Sequence, residues 1–208
     1  MHKKTRNILM IIYILVLIAV VSGATFAYFS VLQVSNVAPT AKAQTATTEW
    51  LLFNTGEEIN ITATEENFGS GMGSLTGTTF ANVLLRTSNS AVPISHNYDL
   101  FLEITANEFI YSTPTRNAEL LLTVSDPDGN ELTHIDGLDY VTVGDISGFD
   151  ITEKTGRFYI AEGYEITTDT VVEQTWNIEI TFVNLDSDQQ ANTGKNFASI
   201  LQVERSSI

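Results

Sequence analysis

Residues 174–185 read QTWNIEITFVNL. Trp176, Ile178, Ile180 and Phe182 fall on one face of an extended chain, and Asn177, Glu179, Thr181 and Val183 on the other. A period of two over this length specifies a half-buried β-strand, because successive side chains of a strand point to opposite sides. Such a strand needs a second apolar layer to cover its inner row. Residues 98–109 (YDLFLEITANEF) repeat the pattern, with Leu100, Leu102 and Ile104 on one face. Further strand candidates are 59–64, 80–87, 118–124, 140–143, 158–160, 164–167 and 196–203. Turn formers punctuate them: Asp128-Gly129, Asp136-Gly137, Ser147-Gly148, Thr155-Gly156, Glu162-Gly163 and Thr193-Gly194. Asp-Gly between apolar runs favours a hairpin, whose central residues need positive φ. After residue 45 no long stretch carries a 3.6-residue period. About ten short strands with frequent turns predict an all-β fold, an antiparallel β-sandwich or jelly roll. Periodicity leaves open whether 118–168 belongs to one sandwich or forms an inserted subdomain.

The N-terminus follows other rules. Residues 1–7 (MHKKTRN) are basic, and residues 8–21 (ILMIIYILVLIAVV) carry no charge. Ser22-Gly23-Ala24-Thr25-Phe26-Ala27 closes the run with small residues. This is the layout of a secretory signal. As a helix the run spans about 21 Å, short of a ~30 Å hydrocarbon layer, which favours removal of residues 1–27 by cleavage between Ala27 and Tyr28. The alternative is a retained membrane helix over 8–32, long enough to span. In either case the basic end stays in the cytoplasm and the body is exported. The expected organisation is a signal or anchor, an extended segment or linker over 28–50, and a β-sandwich over 51–208. The Ala-, Thr- and Ser-rich residues 31–50 read as a spacer or a first extended segment leading into the domain. The Gly-rich residues 69–77 (GSGMGSLTG) read as a loop, without the Gly-Lys-Ser/Thr of a phosphate cradle.

Residues 23–30 (GATFAYFS) resemble the export junction of the TasA/camelysin group of Gram-positive secreted proteins. Gly23, Thr25, Phe26, Ala27, Phe29 and Ser30 match it, whereas Val31 stands where an acid is usual. The match covers the junction and the apolar run before it. Residues 184–195 (NLDSDQQANTGK) also resemble the closing hairpin of many Gram-positive secreted proteins. The resemblance implies processing by a dedicated signal peptidase and a jelly-roll sandwich. It also implies fibres, built when each subunit lends an N-terminal strand to the next subunit's sheet. The donor here would be residues 28–37, with Tyr28, Phe29, Val31, Leu32 and Val34 as its apolar side chains. The expected partners are therefore further copies of the chain or other cell-surface proteins, with the membrane touched only through the N-terminal helix. The expected role is that of a secreted or cell-surface structural protein, such as a biofilm-matrix fibre subunit. A membrane-anchored adhesion or binding module is the alternative.

Charge narrows the partners. The chain has 10 Lys and Arg against 25 Asp and Glu, a formal charge of −15, and no acid precedes Glu49. A body this acidic does not gain from releasing phosphate counterions, so no nucleic-acid partner is expected. With no Cys, disulfides, thiolate zinc sites and cysteine nucleophiles are excluded.

No catalytic residue is expected. The group has carried a metallopeptidase label, but this chain has no His-Glu-x-x-His, so that activity is not carried over. His96 and His134 each lie near an acid without ligand spacing. Glu57-Glu58 and Glu65-Glu66 are neighbours, which point to opposite faces of a strand and make no acid/base pair. Tyr98, Tyr140, Tyr159 and Tyr164 are a candidate sugar platform. No cofactor is expected, with one candidate exception. Asp126, Asp128 and Glu131 cluster hard oxygen ligands for calcium in one turn, although the twelve-residue calcium loop is absent. The competing account is that Asp and Asn cap the turn's own amides.

Overall fold

The computed structural model describes residues 48–64, 73–88 and 92–207. The expected signal or membrane helix, the Ala27–Tyr28 cleavage site, the donor residues Tyr28, Phe29, Val31, Leu32 and Val34, and Glu65-Glu66 lie outside the described residues.

Ten strands follow in chain order: β1 (Glu49–Thr55), β2 (Ile59–Thr62), β3 (Leu75–Thr87), β4 (Ile94–Asn107), β5 (Leu120–Ser125), β6 (Tyr140–Val143), β7 (Ile146–Asp150), β8 (Gly156–Thr168), β9 (Val171–Phe182) and β10 (Asn196–Arg205). They build two antiparallel sheets, a six-stranded one in the order β1-β3-β9-β5-β7-β6 and a four-stranded one in the order β2-β10-β4-β8. From β2 to β5 and from β7 to β10 the chain crosses between the sheets at every step, so every inner row gains a facing layer.

The inner rows are the ones that alternation identifies. Trp176, Ile178, Ile180 and Phe182 are buried, as are Leu100, Leu102 and Ile104. They join Val83, Leu85, Leu120, Leu122, Phe149 and Phe197 in one apolar core fed by both sheets. Each such side chain stabilises by roughly 1.5–3 kcal/mol on full burial. A polar stitch crosses this core. Trp176 Nε1 of β9 donates to the Tyr98 hydroxyl of β4 at 2.8 Å, and Tyr98 donates to Gln174 Oε1 at 2.9 Å. The indole N–H is thereby satisfied where no water reaches it.

Several expectations change. The alternative left open for residues 118–168 resolves to one sandwich: β5, β6 and β7 extend the six-stranded sheet, and β8 pairs with β4. The candidates 158–160 and 164–167 are one strand. Glu162-Gly163 is not a hairpin turn but an irregularity inside β8, where the register against β4 shifts around Leu100. Asp99 Oδ1 takes the Gly163 N–H at 2.7 Å and Asn97 Nδ2 donates to its carbonyl at 2.9 Å, so two side chains replace the lost ladder bonds. Ser147-Gly148 lies within β7, and the turn is at Gly144 (φ +61°). Gly148 is needed there for space, because a Cβ would lie 2.9 Å from the Leu122 carbonyl oxygen. Of the Gly-rich residues 69–77, Leu75, Thr76 and Gly77 open β3 instead of lying in a loop. Glu49 and Trp50, placed by composition in the spacer or first extended segment, belong to β1.

Candidate functional site: sheet edges and sandwich ends

Asp126 sits in the turn between β5 and the bridge at Glu131. Its Oδ1 accepts the N–H groups of Asp128 (2.9 Å) and Asn130 (2.7 Å), and its Oδ2 accepts from Asn130 Nδ2 (3.2 Å). Desolvation opposes ionisation of this carboxyl, but the bonds from Asn130, Asp128 and Gly129 outweigh it and hold it below its ordinary value. Glu131 Oε1 instead accepts the Tyr140 hydroxyl at 3.1 Å. Asp126 thus caps its own turn, while Glu131 is engaged elsewhere. Among the described residues no three His, Asp or Glu side chains group to hold a metal ion.

The four tyrosines do not form a platform. Tyr98 is fully buried, and burial raises its phenol above the ordinary value. Tyr164 packs edge-on against Trp176, with ring centroids 5.0 Å apart. Tyr159 is 41% exposed but lies beside Phe101 in the four-stranded sheet. Tyr140 packs on Phe149 in the other sheet. Glu57 and Glu58 are both exposed in the connection between β1 and β2. His134 pairs at 3.1 Å with Asp136, two residues on, and both are highly exposed.

His96 is placed differently. It opens β4 at one end of the sandwich and links three strands. Its Nε2 lies 3.1 Å from Glu49 Oε2 of β1, and Arg205 Nη2 of β10 lies 2.9 Å from its Nδ1. A guanidinium only donates, so Nδ1 accepts and the ring proton sits on Nε2, facing Glu49.

At the opposite end, beyond the last residues of β4 and β9, lies a second cluster that residue types alone do not reveal. Glu119 is fully buried and has no cationic partner among the described residues. Its Oε1 accepts the Ser112 N–H, and its Oε2 accepts from Gln189 Nε2 (3.0 Å) and Asn192 Nδ2 (2.6 Å). Gln189 and Asn192 are themselves fully buried. Asn192 also exchanges two bonds with the backbone of Ile110, at 3.0 and 2.8 Å. Thr152 Oγ1 takes the N–H groups of Glu119 and Leu120. This cluster fastens residues 108–119 to 183–192. Nearby, Tyr111 donates to Asp150 Oδ2 at 2.8 Å, and its phenol is pushed up to about 12, first by burial and then by that carboxylate.

The remaining feature with consequences is an edge. β10 pairs with β4 over 197–205, but with β2 only over 196–199. Among the described residues no strand pairs with the second side of β10 over 200–205. β1 packs across the sheets against β10, and Leu51, Phe53 and Val203 are only partly buried. Of the outer strands, β1 borders the six-stranded sheet over seven residues, whereas the other three are blunted. β6 and β2 have four residues each, and β8 is kinked by its irregularity at Gly163. Short, bent or charged edges resist pairing with another chain; a straight apolar one invites it.

No family model matches the chain, and no curated protein matches it.

Proposed function

We propose that this chain is an exported structural protein of the cell surface or extracellular matrix, without a catalytic role, that assembles by strand donation. The observation that carries the reading is the side of β10 over 200–205 that no strand pairs with among the described residues. A strand laid there would complete the ladder begun by β2 and cover Leu51, Phe53 and Val203. Main-chain bonds would supply affinity, and alternate side chains would enter the apolar seam. The slot is about the length of an average strand. The apolar residues 28–37 suit it, and cleavage at Ala27 would free them.

Membership of the TasA/camelysin-like group is part of the same proposal, on the strength of residues 23–30. The crossing of β2–β5 and β7–β10 between sheets supports the finer description of the sandwich as a jelly roll. The N-terminal apolar run then serves as an export signal.

Two measurements test this reading. N-terminal sequencing of the exported protein is expected to start at Tyr28. Electron microscopy of purified residues 28–208 is expected to show filaments. A protein that stays monomeric at high concentration across pH and salt removes the fibre reading. An intact chain found in the membrane fraction turns it into an anchored binding module.

A further inference from the structure

The outer face of the six-stranded sheet carries a depression of about 540 Å3. Two cross-strand rows form its floor. Phe80, Asn177 and Ser125 stand opposite one another on β3, β9 and β5, and Thr78, Glu179 and Thr123 form the next row. Strand spacing sets about 4.8 Å between neighbours in a row, and the two-residue step sets about 7 Å between rows. The connection after β1 forms a wall. Gly56 N–H donates to the Phe80 carbonyl at 2.8 Å, and Thr79 Oγ1 donates to the Glu57 carbonyl at 2.9 Å. A Cβ on residue 56 would lie 2.6 Å from Thr79 Oγ1 and 3.1 Å from the Phe80 ring, so glycine is what lets the wall close on the strand.

The chemistry of this tile is selective. Phe80 is 37% exposed. The side chains of Thr78, Ser125 and Asn177 have no hydrogen-bond partner among the described residues, so their donors and acceptors remain free for a ligand. Among the described residues the two charges present, Glu57 and Glu179, are both negative, and no Lys or Arg lines the depression. Phosphates and uronates are therefore repelled. A wholly apolar ligand would strip water from the amide and hydroxyls without replacing it. A ring with an apolar C–H face and hydroxyls around its rim satisfies both parts. Its face lies on Phe80, and its vicinal hydroxyls meet the Asn177 amide and the Glu179 carboxylate, each of which can bond two of them. We propose that this face binds a neutral hexopyranose unit of a glycan. The site is independent of the assembly edge on β10.

The test uses the full chain and titration calorimetry with hexasaccharides of glucose, mannose and N-acetylglucosamine, with an oligogalacturonate as the anionic probe. At least one neutral hexasaccharide is expected to bind and the anionic one not to. Phe80→Ala and Asn177→Ala are each expected to weaken binding about tenfold or more. Tyr159→Ala, which removes an exposed ring from the other sheet, is expected to leave it unchanged. Thermal melts establish that each variant is folded, and should Phe80→Ala unfold, Asn177→Ala carries the test. Absence of binding to all three neutral sugars, equal binding of the anionic one, or wild-type affinity in a folded Phe80→Ala or Asn177→Ala variant overturns the proposal.

Discussion

The two ends of the sandwich hold the sheets together with opposite chemistry. At the end where β4 begins, the Glu49–His96–Arg205 chain uses charge. The His96 side chain is 14% exposed and that of Glu49 40%, so water and salt screen the contact. At the other end Glu119 is a buried carboxylate with only neutral donors. The side chains of Gln189 and Asn192 there are fully buried, and each gives the carboxylate one N–H and a backbone carbonyl the other. A screened pair can break at little cost, whereas a buried network is held because every alternative leaves a group unpaired. The first end is therefore adjustable and the second is a fixed clasp. It is also the adjustable end that secures β1, the strand bordering the open side of β10.

That contrast can be broken experimentally. Glu119→Ala has the largest expected effect. It strands at least two buried donors, at about 1–3 kcal/mol each, and thermal unfolding should shift down accordingly. A loss below about 1 kcal/mol would show that the clasp is not tight. Alkali should attack the same end next. Tyr111 has its folded phenol raised above the ordinary value of about 10. A raised folded value means that the contribution is fully present below pH 10 and is lost as the pH climbs towards about 12. Circular dichroism across this window should show loss of stability, and Tyr111→Phe should lessen that loss. An unchanged profile in the variant would remove Tyr111 as the source. His96→Ala has the smallest expected effect, less than about 1 kcal/mol, and the difference from wild type should shrink with added salt. A salt-independent loss as large as that of Glu119→Ala would erase the distinction between the ends.

What could be read in advance followed local physics. The rows of β4 and β9 were legible because a period of two is an intrinsic property of an extended chain. β1 was missed because Trp50, Leu51, Leu52 and Phe53 form a continuous apolar run: Leu51 and Phe53 face the core, while Trp50 and Leu52 share the outer face, where Arg86 stacks over Trp50. β7 was missed because Gly148 resembles a turn residue and is in fact a spacer for a neighbouring carbonyl. The Asp126 turn was legible in its capping role, since its partners lie within four residues. The Glu119 clasp was not legible, because Gln189 and Asn192 stand more than sixty residues away in the chain.

The sequence by itself determined the alternation that demands two facing sheets, the turns at Asp128-Gly129, Asp136-Gly137 and Thr193-Gly194, and a formal charge of −15. These depend on neighbours in the chain or on composition. Only the tertiary structure decided which strands pair, that among the described residues β2 stops short and leaves one side of β10 open, and which isolated polar residues meet. Those outcomes depend on long-range register, and a single-residue slip would turn every inner side chain outward.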